Sequence, residues 1–347
     1  MNSEISMRVL VHAPNIHMGG GLVLLKELIA TNDLRLEWFQ IDQRGKNHII
    51  LPERVMVHYV KRSIFSRVFA EWLLWVNSTS NDVILCFNSL PPIFPVSARV
   101  VVFFQNRLLI DKVSLTEYPL FVRLRILMER LWSYCFQFRC SRYIVQTPSM
   151  AELLGKWLYH KVPISIVSFA PMFMPGINSN TANKSEKFQF VYVASGESHK
   201  NHRNLVDAWC LLAAKGYKPS LALTLDQNIY KDLCDYIYQR VSMHALSISN
   251  LGELSALEVI TLYKESCAMI YPSKCESFGL PLIEAKNCGL SILAPELDYV
   301  RDVVVPVETF DPNSCTSIAR AVMRFLRIID PRVNIVSAET FLDEVFQ

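Results

Sequence analysis

The sequence has no apolar run long enough to span a membrane. Its longest apolar stretches are interrupted by Arg67, Glu71 and Arg99, so none reaches the roughly 18 residues that a spanning helix needs. The N-terminal residues also lack a basic segment followed by an apolar one, which is the pattern of a secretory signal peptide. We therefore expect a cytoplasmic protein.

Paired cysteines and a strong net charge are missing as well. The chain has nine cysteines, an odd number with no Cys-x-x-Cys pair, which excludes a disulfide framework and the usual spacing of a zinc site. No Asp-x-Asp pair lies near a predicted strand end, so we expect no bound metal and no other cofactor. A formal net charge of +3 is too small to indicate a nucleic-acid partner.

The chain does have enough apolar residues for two cores. Its 347 residues are 51% hydrophobic and 19% charged, and this length predicts about two domains. No repeat at the period of a solenoid is visible in the sequence. The composition is typical of a globular α/β protein.

Short apolar runs alternate with helical stretches along the whole chain, which indicates two doubly wound, Rossmann-like domains. The first domain is expected over residues 1–170, a linker rich in Pro, Gly, Asn and Ser over 171–187, and the second domain over 188–330. The expected strands lie at 7–13, 35–41, 82–87, 99–104, 142–146, 164–168, 188–194, 221–225, 245–249 and 267–272, with a helix at 21–30 and another capped by Thr147 or Ser149.

One strand-to-helix turn in the second half carries two glutamates. The apolar run ending at Pro272 predicts a buried strand, and Pro281 and Gly289 suit the start and the end of a short helix near 281–288. Glu276 then lies in the loop, and Glu284 in the first turn of the helix. A helix N-terminus presents unpaired N–H groups and partial positive charge, so this turn can hold a diphosphate without a metal ion. Two isolated glutamates would more often be ordinary solvated side chains.

The whole segment resembles the signature of the family-4 retaining glycosyltransferases, glycosyl transferases of group 1. That signature is usually Glu-Gly-Phe-Gly-Leu-Pro-Leu-Ile-Glu-Ala, and this chain differs only in having Ser277 at the second position. The resemblance continues over most of the C-terminal half, in Asn250-Leu-Gly-Glu-Leu-Ser255, Tyr271-Pro-Ser273, Ala294-Pro-Glu-Leu-Asp-Tyr-Val-Arg-Asp302 and Phe310-Asp-Pro312.

This resemblance implies the GT-B fold, in which two Rossmann-like domains face a central cleft. It implies an N-terminal domain that binds the acceptor, a C-terminal domain that binds a nucleotide-sugar, and a segment at 331–347 that crosses back to the N-terminal domain. By resemblance, Glu276 is catalytic and faces the transferred sugar, and Glu284 faces the ribose. The remaining predicted contacts to the donor in this turn are Ser277, Phe278, Gly279 and Leu280.

A basic cluster follows the first predicted strand of the second domain. Lys200 is well placed to reach the β-phosphate of a donor and is the second predicted catalytic residue. Related transferases pair such a lysine with an arginine about five residues earlier, where this chain has Ser195. Arg203 is the predicted replacement, with His199 and the helix N-terminus as alternatives. A solvated basic loop is the competing interpretation.

The glycines after the first strand offer a second contact to the donor. Gly20 and Gly21 permit close approach of the backbone to a phosphate or a sugar, and family members commonly have a similar pair there. A dinucleotide fingerprint with Asp42 is the alternative, but Gly-x-Gly-x-x-Gly is absent. On the acceptor side, family members place a histidine after the strand at 99–104, where this chain has Gln105 and Asn106.

Two segments combine arginines with aromatic residues. One lies over residues 61–75, and the other, over 123–142, has five arginines and one glutamate. Such segments can lie on an anionic membrane surface, with apolar side chains inserted and arginines near lipid phosphates. The alternative is that both are helices packed on a sheet with the apolar side inward and the arginines solvated.

The residues and the resemblance together predict a retaining, metal-independent glycosyltransferase of the hexosyltransferase type. It would move a sugar from a nucleotide-sugar donor to a glycan or lipid-linked glycan acceptor, in the assembly of bacterial surface polysaccharide, lipopolysaccharide or glycolipid. Peripheral contact with the inner face of the cell membrane would follow from the two basic aromatic segments. The alternatives are a sugar-nucleotide epimerase of GT-B architecture, a non-catalytic binding protein on a decayed transferase fold, and a nicotinamide oxidoreductase.

Overall fold

Two parallel sheets organise the chain. The structure, a computed structural model, describes residues 8–111, 115–116, 118–171 and 187–328. The strands of the first sheet are β1 (Val9–Ala13), β2 (Leu36–Asp42), β3 (Met56–Val60), β4 (Val83–Cys86), β5 (Arg99–Phe103), β6 (Arg142–Val145) and β7 (Ile164–Ile166). The strands of the second sheet are β8 (Phe188–Tyr192), β9 (Leu221–Leu223), β10 (Ile248–Asn250), β11 (Ser266–Ile270), β12 (Ser291–Pro295) and β13 (Glu308–Phe310).

Each sheet reverses its strand order once. The first has the order β3-β2-β1-β4-β5-β6-β7 and the second the order β10-β9-β8-β11-β12-β13. Every pairing between these strands is parallel. The reversal falls between β1 and β4 in the first sheet and between β8 and β11 in the second. Both halves are therefore doubly wound.

Helices connect the strands and cover both sheets. In the first half they are α1 (Gly19–Ala30), α2 (Ile64–Asn77), α3 (Leu120–Phe136) and α4 (Pro148–Trp157). In the second half they are α5 (His202–Ala214), α6 (Lys231–His244), α7 (Ala256–Lys264), α8 (Leu280–Asn287), α9 (Asp298–Arg301) and α10 (Cys315–Phe325). No helix in the described ranges is both long and apolar enough to cross a membrane.

The strands form where apolar residues run together, because a parallel sheet is covered on both faces. In β1, Leu10 and Val11 face opposite sides and are both buried, Leu10 in a cluster with α3 and α4 residues and Val11 in a cluster with α1 residues. The second half has one large core, in which Trp209 of α5 packs edge-on against Phe190 of β8. Each half thus has its own core.

The two halves touch through polar and apolar contacts. Phe278 and Leu280 of the second half are buried in the same apolar cluster as Phe87 and Phe103 of the first. The Thr147 hydroxyl donates to the Ser277 carbonyl oxygen at 3.4 Å. These contacts bring the loop before α8 against the carboxyl edge of the first sheet.

Most predicted elements are present, with two differences in the first half. Helix α1 begins at Gly19 rather than at residue 21, so the predicted glycine-rich loop is in fact the first helical turn. Strand β3 was not expected, because Met56–Val60 contains His58 and lacks a long apolar run. The Thr147 cap of α4 is confirmed by a bond from the Met150 N–H at 3.2 Å.

The linker prediction at 171–187 and the predicted return segment at 331–347 fall almost wholly outside the described residues. The chain passes from β7 to β8 somewhere between residues 167 and 187, and positions 172–186 are not described. The predicted boundaries of the two domains stay predictions.

Candidate functional site

The predicted site residues lie where each sheet reverses its strand order. In the second sheet, Lys200 follows β8 and Glu276 follows β11, the two strands that flank the reversal. In the first sheet, Gly20 and Gly21 follow β1, and Ser89, which was not predicted, follows β4. Ligands of open α/β sheets bind at such reversals, beyond the carboxyl ends of the strands. Sequence positions far apart therefore converge on one cleft.

Lys200 and Glu276 form an ion pair in this cleft. The Lys200 Nζ lies 2.6 Å from Glu276 Oε1, and the two side chains are 14% and 12% exposed. The Tyr271 hydroxyl donates to the same oxygen at 2.9 Å. Burial, the largest influence, opposes ionisation of Glu276, but the neighbouring Lys200 and the other charges and hydrogen bonds around the carboxyl together outweigh it, and the pKa of Glu276 is lowered. A carboxylate and an ammonium group thus lie side by side at the carboxyl ends of β11 and β8.

The two loops that carry this pair are bonded to each other. The His199 carbonyl oxygen accepts from the Lys274 N–H at 2.8 Å and from the Ser273 hydroxyl at 3.2 Å. Asn201, buried and in the left-handed region at φ 65°, donates from its amide to the carbonyl oxygen of Pro272 at 3.1 Å and to that of Pro312 at 2.7 Å. These bonds fix the loop after β8 against the loop after β11.

The turn before α8 leaves its amides available. Gly279 has φ 76° and precedes the helix, with Leu280 as the first helical residue. The N–H groups of Phe278, Gly279 and Leu280 donate no hydrogen bond to any residue that the structure describes. At a helix N-terminus such groups are anion-binding donors. The turn therefore offers three N–H donors, and its role toward a diphosphate stays a prediction.

Glu284 lies deeper in α8 than expected. The helix begins at Leu280, so Glu284 is its fifth residue and not part of the first turn. The prediction of a first-turn position was wrong because Leu280, which precedes Pro281, already has helical geometry. Burial raises the pKa of Glu284, and the nearby Tyr263 hydroxyl partly offsets this rise. The role of Glu284 toward a ribose stays a prediction.

Helix α1 begins opposite α8. A Cβ atom on Gly20 would lie 3.2 Å from Leu280 Cδ1, across the cleft. Since Gly19, Gly20 and Gly21 form the first turn of α1, their amides belong to a second helix N-terminus that faces the same space. A side chain at Gly20 would narrow that space.

Arg203 lies on the outer side of α5. Its guanidinium group is stacked 4.3 Å above the ring of Tyr236 on α6, and its side chain is exposed. No hydrogen bond or ion pair of the described chain joins it to Lys200 or Glu276. The structure thus does not bring Arg203 to the ion pair, and its role toward a phosphate stays a prediction.

Gln105 and Asn106 stand at the carboxyl end of β5. Their backbone N–H groups both donate to the Ser89 hydroxyl, at 2.8 and 3.1 Å. The Gln105 side chain bonds the Phe87 carbonyl oxygen at 2.8 Å, and its Oε1 would lie 3.6 Å from a Cβ on Gly21. Asn106 instead caps the short 3-10 turn that follows, through a bond from the Leu108 N–H. Gln105 therefore faces the glycine turn more directly than Asn106 does.

Ser89 was missed by the sequence analysis. It is buried, has the left-handed φ of 64°, and organises the loop that carries Gln105. The only sequence hint was its place in Asn88-Ser89, after a predicted strand. A left-handed serine cannot be recognised from composition, because it is selected by its bonds to Gln105 and Asn106.

Tyr118 was missed as well. Its hydroxyl lies 3.0 Å from His199 Nδ1, next to Lys200, and the two rings are stacked with centroids 6.3 Å apart. The contact joins residues 81 positions apart in the chain, so no local pattern could have predicted it.

No group of three or more His, Cys, Asp or Glu side chains is placed to hold a metal ion among the described residues. The expectation of metal-independent chemistry stays a prediction.

Comparison with known proteins supports the resemblance. Residues 177–338 match the family model of glycosyl transferases group 1. The O-antigen chain mannosyltransferase B of Escherichia coli is 26% identical over 140 residues, which are 40% of this chain and 36% of that protein. The serotype-specific mannosyltransferase WbdA of Escherichia coli is 28% identical over 134 residues, 38% of this chain and 16% of the relative. The chain thus spans about a third or less of the curated relatives it matches.

Solved structures match over a larger share of the chain. The crystal structure of Anabaena HepE in complex with UDP and glucose has a TM-score of 0.66 at 14% identity, and the match covers 92% of this chain and 90% of that one. Sucrose-phosphate synthase of Thermosynechococcus elongatus has a TM-score of 0.65 at 14% identity, with the same two coverages. The family match is confined to residues 177–338, and the structural comparisons show that the chain as a whole has the GT-B fold.

Proposed function

We propose that the chain is a retaining, metal-independent glycosyltransferase. It moves a sugar from a nucleotide-sugar donor to a hydroxyl group of a glycan or lipid-linked glycan acceptor. The observation that carries this proposal is the Lys200–Glu276 ion pair, at 2.6 Å, beside the unpaired amides that precede α8. The pair combines a cation and a carboxylate at the strand-order reversal of the second sheet.

The chemical barrier is the departure of a charged diphosphate from an oxocarbenium-like sugar. Lys200 and the amides of Phe278, Gly279 and Leu280 would stabilise the negative charge that develops on the leaving group. Preorganised donors of this kind are usually the largest single contribution to the rate. On binding, the diphosphate would compete with Glu276 for the Lys200 ammonium.

The two glutamates have different roles in this proposal. Glu276, ionised because its pKa is lowered beside Lys200, would accept hydrogen bonds from hydroxyls of the transferred sugar and stabilise positive charge in the transition state. Glu284, with a raised pKa, lies one helical turn away from the phosphate-facing amides and would bond the ribose. Because Glu276 and Glu284 lie on opposite sides of the turn, they can hold the two ends of one donor molecule.

The acceptor would enter from the first sheet. Gln105 stands closest to the glycine turn and would orient the attacking hydroxyl, with Asn106 as a further contact. The names of the Escherichia coli relatives point to O-antigen mannosyl transfer. We therefore propose mannose as the first sugar to test, in the assembly of a bacterial surface polysaccharide.

Helices α2 and α3 would bring this acceptor within reach by contacting a membrane. Both expose large apolar side chains, with Phe65 89% and Phe121 85% exposed. Their arginines are not simply solvated: Arg67 bonds Glu71 at 3.2 Å, and Arg130 bonds the Leu108 carbonyl oxygen at 2.9 Å. The alternative of helices packed on the sheet stays open, because Leu74 of α2 and Ile126 of α3 are buried in the core and the Arg125 side chain is 66% exposed. An apolar, exposed face bordered by Lys61 and Arg62 suits an anionic lipid surface.

A thermal-shift screen with UDP, GDP, ADP and CMP would identify the nucleotide. A ligand at a hundred times its dissociation constant adds about 2.7 kcal/mol of stability. We expect one nucleoside diphosphate to raise the melting temperature and the same shift to be reduced in Lys200→Ala. The matched control is Lys218→Ala, an exposed lysine in the same half of the chain.

A transfer assay with the matching nucleotide-sugar, GDP-mannose or UDP-glucose, would then test the reaction. We expect transfer to a hydroxyl acceptor with retained anomeric configuration, read by NMR of the product, and no loss of rate with EDTA. Inverted product or dependence on a divalent cation would contradict the mechanism. Conversion of the donor sugar without an acceptor would identify an epimerase, and nucleotide binding without turnover a binding protein.

A further inference from the structure

The two halves of the chain meet beside the ion pair through one aromatic contact. The Tyr118 hydroxyl lies 3.0 Å from His199 Nδ1, and the rings are nearly parallel, at an interplanar angle of 23°. Tyr118 is 6% exposed, and its carbonyl oxygen accepts from Arg123 Nε of α3 at 2.6 Å. The ring of Tyr118 is therefore held by the first half while its hydroxyl reaches the second.

His199 is fixed from two sides. Its backbone carbonyl oxygen is bonded by Ser273 and Lys274, and its Nδ1 is bonded by Tyr118. Its other ring nitrogen, Nε2, makes no hydrogen bond within the ranges that the structure describes. Burial and the neighbouring Lys200 lower the pKa of His199, so the imidazole is neutral near pH 7.

This neutral ring can present one N–H toward the donor. When the Tyr118 hydroxyl donates to Nδ1, the ring proton must reside on Nε2, because a neutral imidazole has one donor and one acceptor nitrogen. His199 immediately precedes Lys200 in the loop after β8. Arg203, by contrast, is stacked on Tyr236 at 4.3 Å. The second donor beside Lys200 is thus better supplied by His199.

We propose that His199 contacts the diphosphate of the nucleotide-sugar through Nε2–H, and that Tyr118 is the positioning residue that fixes its tautomer. This inference rests on the proposed function, since it places a further contact at the same donor site. It predicts that the complete donor site needs both halves of the chain: Lys200 and Glu276 come from the second half, and the orientation of His199 depends on the first.

Two amide variants separate the two ring nitrogens. A glutamine at this position can place its amide near Nε2, whereas an asparagine reaches only the Nδ1 position. Loss of one hydrogen bond to a charged group typically costs about tenfold or more. We expect His199→Asn to weaken binding of the nucleoside diphosphate, measured by calorimetry, by about tenfold, and His199→Gln to keep it within about threefold.

Tyr118→Phe tests the positioning role, because it keeps the stacked ring and removes only the hydroxyl. We expect a rise in KM for the donor with little change in KM for the acceptor. In combination with His199→Asn it should add little, because both changes remove the same contact. His48→Asn and Tyr217→Phe, both exposed, are the matched controls.

The outcomes distinguish this inference from the proposed function. If Lys200→Ala abolishes nucleotide binding but Tyr118→Phe and His199→Asn both leave it unchanged, the donor site stands and the His199 contact is wrong. Equal losses in His199→Gln and His199→Asn would also overturn it, because they would indicate a purely structural ring. If the unmodified protein binds no nucleoside diphosphate and transfers no sugar, both proposals fall together.

Discussion

Two glutamates, one in each half of the chain, are paired with cations and yet differ in their surroundings. Glu71 of α2 is 0% exposed and accepts from His12 Nε2 at 2.9 Å, from Arg67 Nε at 3.2 Å and from the Ile93 N–H at 3.1 Å. Glu276 lies at the edge of a cleft, bonded by Lys200 and Tyr271. Glu71 is fully enclosed by protein, whereas the Glu276 side chain is 12% exposed.

This difference shows that an ion pair alone does not indicate a functional site. Glu71 joins α2 to the strands beneath it, since His12 on β1 also bonds Gln40 on β2. Glu276 joins two loops at the carboxyl ends of strands, beside amides that have no partner among the described residues. Position at a strand-order reversal and access to the cleft separate the two roles. Removing each carboxylate should therefore damage a different property.

The largest effect is expected for Glu71→Ala. It would leave Arg67 and His12 buried without their carboxylate, and breaking a buried pair in this way costs roughly 3–5 kcal/mol. Chemical denaturation would measure the change, with Glu53→Ala at an exposed position as control. A loss of free energy of unfolding below about 1 kcal/mol would show that Glu71 is not the centre of this network.

Low pH should weaken the same network of bonds around Glu71. Although burial opposes ionisation of Glu71, His12 and Arg67 lower its pKa from 4.5 to about 2. A carboxyl with a lowered pKa stabilises the folded state above its unfolded pKa and loses that effect as the pH falls toward the folded value. The stability difference between the unmodified chain and Glu71→Gln should therefore shrink between pH 4.5 and about 2. A difference independent of pH in this window would contradict an ionised Glu71.

Lys200→Ala and Glu276→Ala should instead lower turnover. Each removes a preorganised contact to the reacting centre, for which about a hundredfold loss in kcat is typical. The melting temperature should fall less than in Glu71→Ala, because the two side chains are 14% and 12% exposed whereas Glu71 is fully buried. Activity within about threefold of the unmodified protein would reject the assigned roles. This is the opposite of the result expected for Glu71.

A smaller effect is expected when exposed phenylalanines of α2 and α3 are replaced, and it concerns membrane binding. Burying a Phe side chain contributes roughly 1.5–3 kcal/mol, so we expect Phe65→Ser with Phe121→Ser to weaken cosedimentation with anionic vesicles at least about tenfold. Leu257→Ser is the control, because Leu257 is 74% exposed but lies on α7 in the second half. Equal binding by both variants, or no binding by the unmodified protein, would argue against a membrane contact through the first half.

The smallest effect is expected for Arg203→Ala. Its guanidinium group stacks on Tyr236, as does that of Arg240 at 5.2 Å, and an exposed contact of this kind contributes about 0.5–1 kcal/mol. We expect donor affinity to change by less than about threefold, as in the control Arg240→Ala. A much larger loss in Arg203→Ala alone would identify Arg203 as the second phosphate cation.

Local patterns explain what the sequence could predict. The strands follow from apolar runs, and the end of α8 was predicted because Gly289 has the left-handed φ of 73° that a glycine adopts at no steric cost. The turn that carries Glu276 could be predicted for the same reason, because the residues that indicate it are close together in the sequence. The GT-B fold was implied by resemblance in that segment and confirmed by structural comparison.

Long-range contacts explain what the sequence could not predict. The Tyr118–His199 contact and the two bonds to Ser89 depend on how separate strands are ordered in space. The start of α1 was predicted at residue 21 instead of Gly19 because glycines are poor helix formers. The surrounding fold overrides this preference. Arg203 was predicted to contact a phosphate because of its charge. In the structure its guanidinium group instead stacks on Tyr236 of the next helix, α6.

The hydrogen bonds between the loops after β8 and β11 have a further consequence. Since Ser273 and Lys274 bond the backbone of His199, Lys200 and Glu276 belong to one rigid platform that exists before any substrate arrives. Released nucleoside diphosphate would find the same contacts as the intact donor. If the proposed function holds, we therefore expect this product to inhibit competitively with the donor, and its release to limit the rate of turnover.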